Sequence, residues 1–175
     1  MPLELRARGD ELVTLRRPEA HDGAAFVRAA LRSRDRLSPW VFPAETIDAF
    51  DAMVARINPT YAPSLLIENA TGEIVGAFNV SEIVRGNFLS AYLGYYVFDP
   101  FEGKGLMARG LASLIGFAFD DLGLHRLEAN VQPANTRSVE LVRRAGFERE
   151  GFSKEYLFIA GAWRDHERWA MVRPR

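Results

Sequence analysis

The stretch Phe101-Glu102-Gly103-Lys104-Gly105 constrains this chain most, because the residue pattern changes character on either side of it. Before it, apolar runs at 64–68, 73–83 and 88–98 are separated only by Thr71-Gly72 and Arg85-Gly86-Asn87. Such tight connections predict an antiparallel meander. After it, Leu111, Leu114, Ile115, Ala118 and Leu122 mark the buried face of a helix, with Gly123 as its C-cap. A strand therefore runs into a glycine-rich loop and out into a long helix. The first N–H groups of a helix lack carbonyl partners and its dipole is positive there, so such a loop attracts phosphate. Gly103 and Gly105 allow close backbone approach, and Lys104 adds positive charge. The competing reading is a helix entry that needs glycines for geometry alone.

Residues 11–16 read as a short strand. Pro18 suits the first position of a helix carrying Ala24, Ala25, Val27, Ala30 and Leu31. A second helix is expected over 44–57, with Ile47, Phe50, Met53, Val54 and Ile57 on one face, ended by Asn58-Pro59. Beyond Gly123, residues 126–131 read as a strand. Pro133-Ala134-Asn135 leads into a short helix through Val139, Val142 and Ala145, closed by Gly146. Residues 147–159 and 163–172 form a hairpin turning at Ala160-Gly161-Ala162. The order β-α-α-β-β-β-α-β-α-β-β predicts an α/β (α+β) fold: a mixed, mostly antiparallel sheet of about seven strands, about four helices on its faces, and one domain over 1–175.

Composition narrows the function. With 175 residues, 48% of them hydrophobic, the chain can bury a core without staples. The absence of cysteine excludes a disulfide scaffold, cysteine-ligated zinc, an iron–sulfur cluster and a cysteine nucleophile. A net charge of -1 gives no electrostatic sign of nucleic-acid binding. No apolar leader follows Met1 and no apolar run reaches membrane-spanning length, so a cytoplasmic protein with no membrane attachment is expected. His125 and His166 lack metal-ligand spacing, and no metal is expected.

Gly103-Lys104-Gly105-Leu106-Met107-Ala108 also fits G-x-G-x-x-A, a dinucleotide fingerprint, and Glu128 lies on the next strand as a ribose-binding acid would. That fingerprint normally opens a doubly wound parallel sheet. Here a meander precedes it and a hairpin closes the chain, leaving too few βα units. A Walker A loop fails, because no GxxxxGK[ST] occurs.

Several further stretches carry a family likeness: Val84-Arg85-Gly86-Asn87-Phe88, Tyr92-Leu93-Gly94-Tyr95, Gly103-Lys104-Gly105-Leu106-Met107, His125-Arg126-Leu127-Glu128-Ala129-Asn130 and Asn135-Thr136-Arg137-Ser138. Ala145-Gly146-Phe147-Glu148-Arg149-Glu150-Gly151 and Gly161-Ala162-Trp163-Arg164-Asp165-His166 continue it. Together they resemble the GNAT acetyltransferases over nearly the whole chain, and within them the RimJ/RimL ribosomal-protein N-terminal acetyltransferases, the RimJ side more closely.

The resemblance implies acetyl-coenzyme A as cosubstrate and a primary amine as acceptor, most simply the N-terminal α-amine of a ribosomal protein. Small-molecule amines are the alternative acceptors. A non-catalytic coenzyme A-binding regulator is the third reading. The family's pyrophosphate loop follows (Gln/Arg)-x-x-Gly-x-(Gly/Ala), so Glu102, Gly103, Lys104, Gly105, Leu106 and Met107 fall in the cofactor-binding set. Glu102 departs from the pattern with a carboxylate, which suits the site only if its side chain points to solvent. The resemblance pairs the pantetheine arm with Tyr96-Val97-Phe98, and adds Asn130, Asn135 and Ser138 to the cofactor-binding residues. Asn135 would equally serve as a helix N-cap. A monomer or homodimer fits the family.

Acetyl transfer to an amine requires a neutral amine, a donor for the oxyanion and a proton for the departing thiolate. Without cysteine, direct attack in a ternary complex is the economical route. A backbone N–H near Val97 is the expected oxyanion donor. Many GNAT enzymes carry a tyrosine acid where Val142 stands here. The resemblance offers Ser138 as the acid and Glu155 as the base, with Glu128 the other candidate base. Each could instead be an ordinary surface or ion-paired residue. Trp40 and Phe42 would line the acceptor entrance or cover the core.

Overall fold

The computed structural model describes residues 7–173. One eight-stranded sheet carries the order β1-β2-β3-β4-β5-β6-β8-β7. Its strands are β1 (Arg8–Gly9), β2 (Val13–Arg16), β3 (Tyr61–Glu68), β4 (Ile74–Val84), β5 (Ser90–Val97), β6 (Arg126–Val131), β7 (Glu148–Ile159) and β8 (Ala162–Val172). The helices are α1 (Gly23–Leu37), α2 (Ile47–Ala55), α3 (Leu106–Gly116) and α4 (Thr136–Arg144). The strand beyond the expected seven is the two-residue β1. Every neighbouring pair is antiparallel except β5–β6, the one parallel rung set.

Local chemistry explains the element ends. The turns expected at Thr71-Gly72 and Ala160-Gly161 occur, with Gly72 at φ 73° and Ala160 and Gly161 at 52° and 76°. Helix α1 starts at Gly23, later than the Pro18 start expected from sequence. A 3-10 turn at Ala20–Asp22 comes first. Buried Asp22 accepts from Arg16 Nη1 and Nη2 at 2.8 and 2.6 Å and from the Glu19 N–H at 2.8 Å, which fixes the chain before the helix. Thr46 caps α2 by accepting the Ala49 N–H at 3.2 Å. Helix α3 passes into a π-helical turn at Phe117–Asp121 and ends at Gly123, φ 64°.

The sheet separates two apolar layers. On the α3 side pack Leu66, Phe78, Leu93, Leu111, Leu114 and Leu127. On the α1–α2 side pack Phe26, Phe50, Leu65, Ala77, Tyr96 and Phe98. Fully burying one such side chain contributes about 1.5–3 kcal/mol, so both faces anchor the central strands β4 and β5.

Candidate active site

The site lies where β5 and β6 part. Their parallel pairing runs from Ser90↔Arg126 to Leu93↔Ala129 and stops. Beyond that rung β5 stays with β4, through Tyr96↔Ala77 and Val97↔Gly76, while β6 stays with β8, through Asn130↔Arg168 and Val131↔Glu167. A gap opens between the two strands. The Phe98 N–H donates to Val75 O at 2.8 Å. Bonding alternates along an antiparallel ladder, so the N–H and C=O of Val97 turn away from β4 and into the gap. Arg36 Nη2 donates to that Val97 oxygen at 2.7 Å. The side chains of Tyr96 and Phe98 are buried in the α1–α2 layer, so of the expected Tyr96-Val97-Phe98 set it is Val97 whose backbone faces the gap.

The strand end is clamped from α1. Asp99 accepts from Arg36 Nε at 2.5 Å, and its carbonyl accepts from Arg32. Its N–H donates to Ser33 Oγ at 2.8 Å, while the fully buried Ser33 donates to Ala29 O at 2.7 Å. These bonds set the direction in which the chain enters the glycine-rich loop.

In the loop, Gly103 and Gly105 take φ 74° and 77°, the left-handed region that side chains disfavour. A Cβ built on either would have no heavy atom within 4 Å. Gly105 is the N-cap of α3 and offers no side-chain cap, so the N–H groups of Leu106 and Met107 at the start of this eleven-residue helix have no hydrogen-bond partner among the described residues, while Ala108 N–H donates to Gly105 O at 3.2 Å. Lys104 Nζ lies 5.1 Å from the Phe101 ring centre. Uncapped donors, a helix dipole and open volume fit an anionic group such as a pyrophosphate. Glu102 differs from expectation: its Oε2 is buried, with no hydrogen-bond partner among the described residues, rather than turned to solvent.

Ser138 stands in the first turn of α4. Its N–H donates to Asn135 Oδ1 at 3.2 Å, so Asn135 is the N-cap. The Tyr95 phenol lies 2.7 Å from Ser138 Oγ and donates to Ser138 O at 3.0 Å. Burial pushes the Tyr95 phenol up to about 12, so it is protonated at neutral pH. Sequence reasoning did not single out Tyr95. Its signal was alternation: Leu93, Tyr95 and Val97 share the face of β5 opposite Tyr92, Gly94 and Tyr96. Val142 is fully buried in the core and has no proton to give.

The two candidate carboxylates differ. Glu128 Oε1 accepts from Arg126 Nε at 2.7 Å, and Arg126 Nη1 also donates to Glu150 at 2.9 Å. Glu128 lines a small cleft with Tyr92, Phe88 and Val84. Glu155 is exposed on a bulge of β7 at φ 47°, and its N–H donates to Asp165 Oδ1 at 2.8 Å. Its carboxylate makes no hydrogen bond or ion pair among the described residues. Its neighbour Tyr156 lies beside Tyr92, which places the β7 bulge over the same face as Glu128. His166 is buried in the hairpin, with Nδ1 2.9 Å from Arg164 O, and burial lowers its pKa. Phe42 is exposed in the loop after α1.

A parted parallel strand pair followed by a glycine-rich, uncapped helix start defines a class, and the chain belongs to it. Residues 13–148 match the acetyltransferase (GNAT) domain family. The chain is 45% identical over 102 residues to the [ribosomal protein uS5]-alanine N-acetyltransferase of Escherichia coli (strain K12), an alignment covering 58% of this chain and 53% of that protein. The match spans about half the length of that relative. Among solved structures, the ribosomal-protein-S5-alanine acetyltransferase of Vibrio fischeri superposes with a TM-score of 0.87 at 25% identity, covering 97% of this chain and all of that one. Mycobacterium smegmatis RimJ in complex with CoA-disulfide gives 0.85 at 29% identity, over 95% and 85% of the two chains.

Proposed function

We propose that the protein, acting as one domain in the cytoplasm, transfers acetyl from acetyl-coenzyme A to a primary amine, and that the acceptor is the N-terminal α-amine of a ribosomal protein. The observation that carries this is the parting of β5 from β6 before Val97, followed along the chain by the uncapped N-terminus of α3. One extended thiol-bearing nucleotide would lie along both. The likeness to a uS5-alanine N-acetyltransferase supports the choice of acceptor.

Bound acetyl-coenzyme A supplies an activated acetyl thioester. Gly103, Lys104, Gly105, Leu106 and Met107 hold its pyrophosphate with backbone N–H groups and one cation. Val97 pairs with the pantetheine arm, and its N–H points to where the oxyanion develops. The Arg36 bond to Val97 O must then yield or be shared. Asn135 keeps its cap and offers its Nδ2 to the arm. Ser138, held by Tyr95, relays a proton to the departing thiolate, whose ordinary pKa is about 8.5, and regains one from solvent. An α-amine has a pKa of about 7.7–8.0, so roughly a tenth is already neutral at pH 7 and a modest base suffices. Glu155, whose carboxylate is uncommitted, takes that role in preference to Glu128, which is tied to Arg126.

The test is thiol release from acetyl-coenzyme A with an N-terminal alanine peptide, compared with a panel of small amines. Faster turnover of the peptide supports the reading. Turnover of small amines alone would replace it with the small-molecule reading.

A further inference from the structure

Gly94 has no conformational reason to be glycine. It lies inside β5 and, unlike the turn glycines, does not have a positive φ. A Cβ there would meet only Asn79 Cβ, at 4.0 Å. Glycine within a strand costs roughly 0.5–1 kcal/mol relative to alanine. Neither backbone nor crowding accounts for that cost, whereas a ligand above the residue would. Gly94 forms part of a cleft of about 440 Å³ whose polar wall includes Tyr61, Asn79, Ser81 and Glu82. Glu82 sits at the β4 bulge with φ 50°.

Across the gap, the next parallel rung after Leu93↔Ala129 would join Gly94 to Asn130, and it is the first one not made. Leu127, Ala129 and Val131 belong to the α3-side layer, so Asn130 shares the opposite face with Glu128, Tyr92 and Gly94. Asn130 Oδ1 is buried and has no hydrogen-bond partner among the described residues. An unmet buried acceptor costs about 1–3 kcal/mol, which a ligand N–H would recover. The terminal torsion of an asparagine is soft, so the amide can turn toward the open rung opposite Gly94.

We propose that Gly94 and Asn130, at the first open rung of the β5–β6 gap, form the seat of the acceptor's amino group. Gly94 leaves the room, and Asn130 Oδ1 accepts an N–H from the primary amine at a peptide N-terminus. This rests on the acetyltransferase reading above and assigns Asn130 to the acceptor rather than to the cofactor. The chemistry suits the step. A neutral amide oxygen orients an amine without itself holding it as ammonium; Glu128 on the same strand face is already paired with Arg126, and Glu82, the carboxylate of the cleft wall, is exposed to solvent.

The experiment is calorimetric titration of an N-terminal alanine peptide, and of its N-acetylated form, into the coenzyme A-loaded protein. Wild type should bind the free peptide and discriminate against the blocked one. Asn130→Ala should weaken free-peptide binding roughly tenfold. Asn130→Asp, which keeps an acceptor oxygen, should stay within about threefold of wild type. Gly94→Ala should weaken the peptide and leave coenzyme A affinity unchanged. Loss of coenzyme A affinity in Asn130→Ala with peptide binding intact would overturn the proposal. So would a peptide indifferent to both substitutions, or no peptide binding to wild type. Asn130-dependent peptide binding without any acetyl transfer would support the seat and count against the transfer reading, so the two fail separately.

Discussion

The Tyr95 phenol lies 2.7 Å from Ser138 Oγ, so a half-buried side chain of β5 holds the first turn of α4 against the wall of the gap. This contact spans 43 positions of sequence and orients the one hydroxyl offered as proton donor to the thiolate. Ser138→Ala should lower kcat by about 10²-fold, at the low end for general acid catalysis, and leave donor affinity nearly intact. Tyr95→Phe should lower kcat less and cost about 1 kcal/mol of stability for the lost bond. Because burial pushes Tyr95 up to about 12, the wild-type rate should show no alkaline limb from this phenol below that pH. Full kcat in Ser138→Ala would move the proton source to solvent or substrate.

Donor binding should be visible as stabilisation. Acetyl-coenzyme A at 100 times its dissociation constant should stabilise the fold by about 2.7 kcal/mol, read as a thermal shift, and NADH should not. The converse would restore the dinucleotide reading of the glycine loop.

Gly105→Val should lose coenzyme A affinity while leaving acceptor binding far less affected. The left-handed φ of 77° disfavours any side chain, and the space a Cβ would enter is the space the phosphates need. Glu102→Gln should strengthen coenzyme A binding by several-fold, because it removes the negative charge of a carboxylate that has one oxygen buried without a donor beside the phosphate site. Unchanged affinity in both folded variants, measured by calorimetry, would remove the cofactor from this loop.

These positions show what was legible in the sequence. The meander, the loop and the helix after it follow from turn residues and periodicity, which are local. The Asn135 cap was local too. The burial of Glu102 was not, because which way a loop side chain turns depends on partners far along the chain. The Arg36–Asp99 clamp joins residues 63 apart, and no spacing rule announces it. The Arg126–Glu128 pair was readable in principle, since residues two apart on a strand share a face.

Glu155→Gln should slow transfer most at low pH, where little amine is neutral, and approach the wild-type rate as pH passes the amine's own pKa near 8. A wild-type pH profile would make Glu155 structural and direct attention to Glu128.

Acid should unfold the protein partly through Asp22. Burial alone would raise its pKa, but the Arg16 and Glu19 hydrogen bonds outweigh it and hold the carboxyl below its ordinary value. Its contribution is therefore present above the unfolded value of about 3.9 and is lost as pH falls through the lower folded value. Melting temperatures recorded from about pH 2 to 7 should fall less steeply below pH 4 in Asp22→Asn than in wild type.

Acetyl transfer to a protein α-amine is read directly by tandem mass spectrometry of a peptide with an N-terminal alanine and an internal lysine, incubated with the protein and acetyl-coenzyme A. One acetyl group is expected, on the alanine nitrogen, and none on the lysine. Acetylation confined to the lysine, or an unmodified peptide beside a protein that binds acetyl-coenzyme A, would contradict it.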